Sequence, residues 1–218
     1  MKFLADVREF LPILLHGLWL TIVITFGSLA LSTLLGLVWA LMRVSRLRAL
    51  QRLAKGIVNT IRGIPIIVQL FYIYFVMPEL GLTLTALQAA IIGLGIAYSA
   101  YQAENFRAGI EAIDKGQIEA SESLGMSWSL MMRRVVMPQA IKIILPPYGN
   151  TMIMMLKDSS QASTITVAEL TLQGQLIASS TFKYTSVLTM VAVLYLVMSI
   201  PLILFVGWLE RRMQQARR

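Results

Sequence analysis

The apolar residues of this chain come in runs too long for the core of a soluble domain, and this limits what it can fold into. From Ile13 to Met42 the single titratable residue is His16. A helix crosses the hydrocarbon layer with about 20 mostly apolar residues, and lipid tolerates no unpaired backbone. The first run predicts a tilted membrane helix over 13–42, and Val187 to Leu209 predicts another over 187–209. Three less tidy runs, Gly63 to Met77, Leu84 to Tyr101 and Ile141 to Leu156, predict spans near 57–77, 84–106 and 139–156. The second run is short and borrows Ile57 to Ile61 as an interfacial or protein-packed turn. The expectation is an all-α integral membrane fold of about five spans, occupying 1–218 as one domain. At 57% hydrophobic and 14% charged residues, the sequence shows no soluble domain, low-complexity linker or clear repeat.

The net charge of +8 would suit nucleic acid, but the basic residues are blocked between the spans. Arg43, Arg46, Arg48, Arg52, Lys55 and Arg62 follow the first span. Arg107, Lys115, Arg133, Arg134 and Lys142 follow the third, and Arg211, Arg212, Arg217 and Arg218 close the sequence. These three blocks hold 15 of the 19 Lys and Arg. The positive-inside rule then puts the N-terminus outside and the C-terminus in the cytoplasm. Nucleic acid is not expected as a partner. Met1 to Pro12 lacks the order of a cleavable signal peptide, so the first span is expected to insert uncleaved. With no Cys and one His, disulfides, thiolate metal sites and histidine metal clusters are excluded.

Two small-residue ridges run along the spans, Ser28–Ser32–Gly36–Ala40 and Ala89–Gly93–Ala97. Such ridges let helix backbones approach closely, either within the chain or between subunits. Ala49 to Ile61 is amphipathic and reads as a surface helix, broken at Arg62-Gly63-Ile64-Pro65 because Pro65 lacks a donor.

The polar stretch from Lys115 to Gly125 interrupts this apolar pattern. Gln117 to Leu124 predicts two helical turns with small residues, Ala120, Ser121 and Ser123, among the acids. Gly125 would stop the helix in a left-handed C-cap, and Ser127 would cap the next one. A short helix ended in this way is a knob that fits a partner's cleft. A solvated amphipathic loop would look similar if the stretch stood alone. Glu119, Ala120, Gly125 and Pro138 are nevertheless in register with Glu-Ala-Ala-x3-Gly-x9-Ile-x-Leu-Pro, with Ser121, Val135 and Met137 as departures that keep small size or apolar character. The layout resembles the ATPase-docking loop in membrane subunits of ATP-binding-cassette (ABC) importers, and here it covers about 111–134 plus Pro138.

Three further elements resemble the polar amino-acid permeases of that class. They are Arg62-Gly63-Ile64-Pro65 through Gln69-Leu70, Tyr101-Gln102-Ala103-Glu104 through Arg107, and Lys157-Asp158-Ser159-Ser160. The resemblance implies the type I importer permease fold, a second permease subunit (identical or similar), two ATPase subunits and an extracytoplasmic substrate-binding protein. It also implies an amino-acid substrate and a place in the bacterial plasma (inner) membrane. Glu119, Ala120, Ser121, Glu122, Gly125 and Pro138 would couple to the ATPase. No cofactor is expected in this chain: Mg-ATP belongs to the partner, since no Gly-x4-Gly-Lys-Ser/Thr loop is present, and the chain is not expected to be an enzyme.

Glu104, Arg107, Asp158, Ser159 and Ser160 are candidates for a substrate path. Ionisable groups at membrane depth are costly and usually face a cavity, and Pro146 and Pro147 are expected to disturb the helix just before Asn150, as in the broken helices of transporters. The other reading makes Glu104–Arg107 and Lys157–Asp158 structural ion pairs. A self-sufficient secondary transporter or channel would also use intramembrane acids, but it gives no reason for the docking motif.

Overall fold

The computed structural model describes residues 2–215, and every regular element among them is helical. Helix α1 (Lys2–Arg43) leads to α2 (Arg48–Gly63), then α3 (Ile66–Phe71), which continues through a π turn (Tyr72–Val76) and a 3-10 turn (Met77–Leu80). Next come α4 (Ala86–Glu111), α5 (Lys115–Ser123) and α6 (Trp128–Met131), which passes through a second π turn (Met132–Val136) into α7 (Met137–Asp158). A 3-10 segment (Ser159–Ile165), α8 (Leu170–Thr181) and α9 (Tyr184–Gln215) complete the order. Two helices, Phe3–Arg43 and Tyr184–Met213, are each long and apolar enough to cross a membrane. A third candidate is the pair Arg48–Gly63 and Ile66–Leu80, bent by 98°.

One expected break is present, and one expectation needs correction. The segment 57–77 is not one continuous helix: Ile57 to Ile61 belong to α2, and the chain turns sharply at Ile64–Pro65 before α3. Pro65 cannot donate and restricts Ile64 to extended backbone, here φ −107° and ψ 128°. The Gln69 amide closes the corner by donating to the carbonyls of Ile61 and Ile64 at 2.9 Å each. The correction concerns Pro146 and Pro147, which do not break α7. Packing just beyond them pins the helix: Tyr148 stacks on Phe106 and hydrogen-bonds Thr33 at 2.8 Å, while Gly149 lies against Val206. Tertiary contacts override the local preference, and α7 stays helical to Asp158.

Both small-residue ridges are covered within the chain. Ser28, Ser32 and Ala40 are buried, and the Ser28 hydroxyl donates to the Ile91 carbonyl of α4 at 3.2 Å. Ala89 and Ala97 are buried as well, and Gly93 receives Leu70 of α3.

The sequence reading made no provision for α8. Its N-cap is Glu169, 0% exposed, whose carboxylate accepts from the amides of Thr171 and Leu172 at 2.9 Å each. The hydroxyls of Tyr195 (3.0 Å) and Thr21 (3.4 Å) donate to the same carboxylate, tying α8 to α9 and α1. A buried carboxylate is tolerated when donors surround it. At the far end, Lys183 bonds Asp6 at 2.7 Å and lies over the Phe10 ring; the Asp6 hydrogen bond raises the Lys183 pKa. Glu169→Ala removes the cap and two cross-helix hydrogen bonds, while the Tyr195 and Thr21 hydroxyls keep Thr171 and Gly17 as partners, so it should cost about 2 kcal/mol. The expected readout is a clear drop in the thermal midpoint of the purified protein, with Glu169→Gln falling less because it keeps one acceptor.

Candidate functional site

The segment from Asp114 to Ser127 folds as its residues direct. Asp114 caps α5, its carboxylate accepting from Gly116 N at 2.7 Å. At the other end Met126 N reaches Ser121 O (3.1 Å) and Gly125 N reaches Glu122 O (2.9 Å), with Gly125 at φ +71°. This pair of bonds around a left-handed glycine is a Schellman stop. Ser127 Oγ then caps α6 through Leu130 N at 3.4 Å.

Helix α5 has a seated face and an outward face. Ser121 is buried, and Ile118 and Met126 pack on a cluster built from Ala40 of α1, Phe106 and Ile110 of α4, and Ala140 and Ile144 of α7. Glu119, Ala120, Glu122 and Gly125 are exposed, and Leu124 stands 81% exposed beside them. Of the six candidate coupling residues, four therefore form an outer surface, Ser121 anchors it, and Pro138 lies at the start of α7, where the π turn ends. Arg46 reaches Glu122 at 3.3 Å across the surface, a contact between exposed groups that contributes little.

The five substrate-path candidates separate into two groups. Glu104 is a hub: it pairs with Arg107 at 2.8 Å, with Arg43 at the end of α1, and with Arg62 at the end of α2 at 3.7 Å. Arg62 also lies over the Tyr101 ring, and Arg107 continues to Glu111. The Glu104–Arg107 spacing gives the ion pair that i,i+3 geometry allows. Six residues separate Glu104 from Tyr98, about 9 Å of helix rise, and it is Tyr98 that meets Asp158. The Tyr98 hydroxyl donates to Asp158 Oδ2 at 2.7 Å. Among the described residues Asp158 makes no ion pair with Lys157. Ser159 and Ser160 donate to carbonyls of their own turn, Leu156 O and Lys157 O, at 2.7 Å each.

Sequence reasoning missed Tyr98, whose polar tip inside an apolar run was the available signal. It also missed Arg43 and Arg62 as partners of Glu104. Their contact with Glu104 joins the ends of α1 and α2 to α4, residues 61 and 42 positions away in the sequence.

Residues 32–215 match the family model described as the binding-protein-dependent transport system inner membrane component. A probable glutamine ABC transporter permease protein, GlnM of Bacillus subtilis strain 168, is 39% identical over 93% of this chain and 94% of its own length. The L-cystine transport system permease protein TcyB of the same organism is 36% identical over 95% and 89%. Among solved structures, an amino acid ABC transporter crystallised with histidines matches with a TM-score of 0.90 and 40% identity, covering 97% of this chain and 99% of that one. The family model and relatives, matching over nearly the whole of an all-helical chain, place this protein in the family of binding-protein-dependent inner-membrane permease components, the membrane subunits of ABC importers.

Proposed function

We propose that the chain forms the translocation path of an ATP-driven amino-acid importer in the bacterial plasma membrane. The observation that carries this reading is α5, a glycine-stopped knob seated on the ends of α1, α4 and α7 with its acidic, small-residue face outward. The relatives, named for glutamine and cystine, and the structure solved with histidines support an amino-acid substrate. A gradient-driven transporter would have no use for α5.

In this reading five segments cross the membrane: α1, the bent α2–α3 unit, α4, α7 and α9. Helices α4 and α7, with 26 and 22 residues, are about 39 and 33 Å long, enough for the hydrocarbon layer. The N-terminus is outside, and α5 and the C-terminus are cytoplasmic. A second permease subunit, identical or similar, completes the path. Two ATPase subunits carry Mg-ATP below it, and an extracytoplasmic binding protein delivers the substrate. Asp158, beside Ser159 and Ser160 at the start of the 3-10 segment, holds the substrate's ammonium group, while Glu104 and Arg107 form the cytoplasmic end of the path.

Three tests follow from this reading. Valine at Gly125 is strained at a left-handed backbone, so Gly125→Val, like Glu119→Lys, should leave insertion and assembly intact but uncouple ATP hydrolysis from uptake. Wild-type ATP-driven uptake by Gly125→Val would sink the coupling role. Because the chain has no cysteine, single cysteines report orientation: Leu124→Cys should react with an impermeant maleimide only from inside, and Phe182→Cys only from outside. The reverse pattern would invert the topology. For the path, Asp158→Asn should abolish uptake at normal yield of assembled complex, whereas Arg107→Gln should lower that yield by loosening the Glu104 hub. Unchanged affinity and rate in Asp158→Asn would remove Asp158 from the substrate site.

A further inference from the structure

The flank of α2 that faces away from the bundle is a shallow groove of about 500 Å³ lined by Arg52, Leu53, Gly56, Ile57, Thr60 and Ile61. Its apolar floor is open: a methyl placed on Gly56 would meet nothing within 4 Å, and Leu53 is 56% exposed. The opposite edge of the helix is cationic. Helix α2 contains Arg48, Arg52, Lys55 and Arg62 and no acid. Arg62 is engaged by Glu104 and Tyr101. Among the described residues Arg48, Arg52 and Lys55 have no carboxylate within salt-bridge distance.

These features sit on a helix placed along the bilayer surface. Through Ala54 and Val58, α2 packs sideways on Trp39, Ala100 and Ala103, at the end of α1 and α4 where Arg43 and Glu104 meet. A helix at 98° to the segment that follows it runs parallel to the membrane plane when that segment crosses. At about 100° per residue, Leu53 and Ile57 project to one side of the packed face, and Lys55 and Arg48 to the other. Arg52 points away from the bundle at the rim of the groove. Apolar side chains next to unneutralised bases on an in-plane helix match the chemistry of an anionic leaflet.

We infer that this flank of α2 binds an anionic phospholipid of the cytoplasmic leaflet, its phosphate at Arg52 and an acyl chain laid over Gly56 between Leu53 and Ile57. The choice of leaflet rests on the orientation proposed above. The bound lipid would hold α2 at the interface beside the Ile64–Pro65 corner.

The test uses the cysteine-free chain with Ala49→Cys, one turn from Arg52 and outside the groove, labelled with bimane and assembled with its partners in phosphatidylcholine vesicles. Brominated phosphatidylglycerol or brominated phosphatidylcholine is added at the same mole fraction. The phosphatidylglycerol form should quench more strongly, about fivefold for the enrichment expected from one cation at the surface. Arg52→Gln should erase the difference between the two lipids. Gly56→Leu should reduce quenching by both, and because the added side chain enters open space, ATP-driven uptake should persist. Equal quenching by the two lipids in the parent chain overturns the proposal. So does quenching by neither, whether aqueous iodide reaches the label or is kept out by a second copy of the chain or another subunit. Uptake by the same vesicles reports the permease reading separately.

Discussion

Where α1 crosses α4 the two backbones approach too closely for side chains to stand between them. A methyl on Gly36 would lie 2.7 Å from Gln102 Cβ and 3.0 Å from the Ser99 carbonyl, and one on Gly95 would lie 2.7 Å from Leu31. In lipid, burial of apolar surface does not drive helices together, so close packing and cross-helix hydrogen bonds must do so. The Ser28 bond to Ile91 O and the Trp39 bond to Ser99 Oγ at 3.3 Å supply the polar part. Three further elements, α2, α3 and α5, take their position from this seam. Leu70 of α3 enters the notch at Gly93, α2 lies on Trp39, Ala100 and Ala103, and α5 is seated where the two helices end, at Ala40 and Phe106.

Two departures from α geometry share one local cause. Each π turn is followed by a Met–Pro pair, Met77–Pro78 and Met137–Pro138, and in each the methionine amide bonds five residues back, to Tyr72 O and to Met132 O. A proline at the next position has no amide for the usual four-residue bond, so the wider turn is closed just ahead of it. Pro138 of the docking motif thus has a structural role: it stands where the chain passes from the π turn into α7. The connection from α6 into α7 runs through a turn of non-standard register, a feature associated with functional positions.

Local chemistry in the sequence was enough to read the helical class, the short helix α5 with its glycine stop, the Ser127 cap and the break before Pro65. These depend on residues within one or two turns of each other. The continuity of α7 through Pro146–Pro147 and the existence of α8 depend on contacts far along the chain: Tyr148 with Phe106 and Thr33, and Glu169 with Thr21 and Tyr195. No window of sequence contains both partners. The same reason explains the polar path. The spacing of Glu104 and Arg107 shows that they can pair, but it does not reveal that Arg43 and Arg62 arrive from two other helices or that Tyr98 is the partner of Asp158.

Two partly or fully enclosed carboxylates, Glu169 and Glu104, are compensated in different ways. Glu169 is surrounded by neutral donors from its own helix, α1 and α9, an arrangement that depends on fixed geometry because each hydrogen bond is lost within a few tenths of an ångström. Glu104 is held by three guanidiniums, and charge–charge attraction falls off more gradually with distance. The Glu104 hub joins the ends of α1, α2 and α4 on the near side of the Ile64–Pro65 corner, since Arg62 is the last residue but one of α2. Helix α2 is thereby bound to the α1–α4 frame, and the corner's remaining side-chain tie is the Gln69 amide. Helix α5 rests on the ends of α1, α4 and α7 together through their shared seat. At the corner two neutral hydrogen bonds from Gln69 tie α3 to α2, while Arg62 ties α2 to Glu104 and Leu70 fixes α3 against Gly93 of α4.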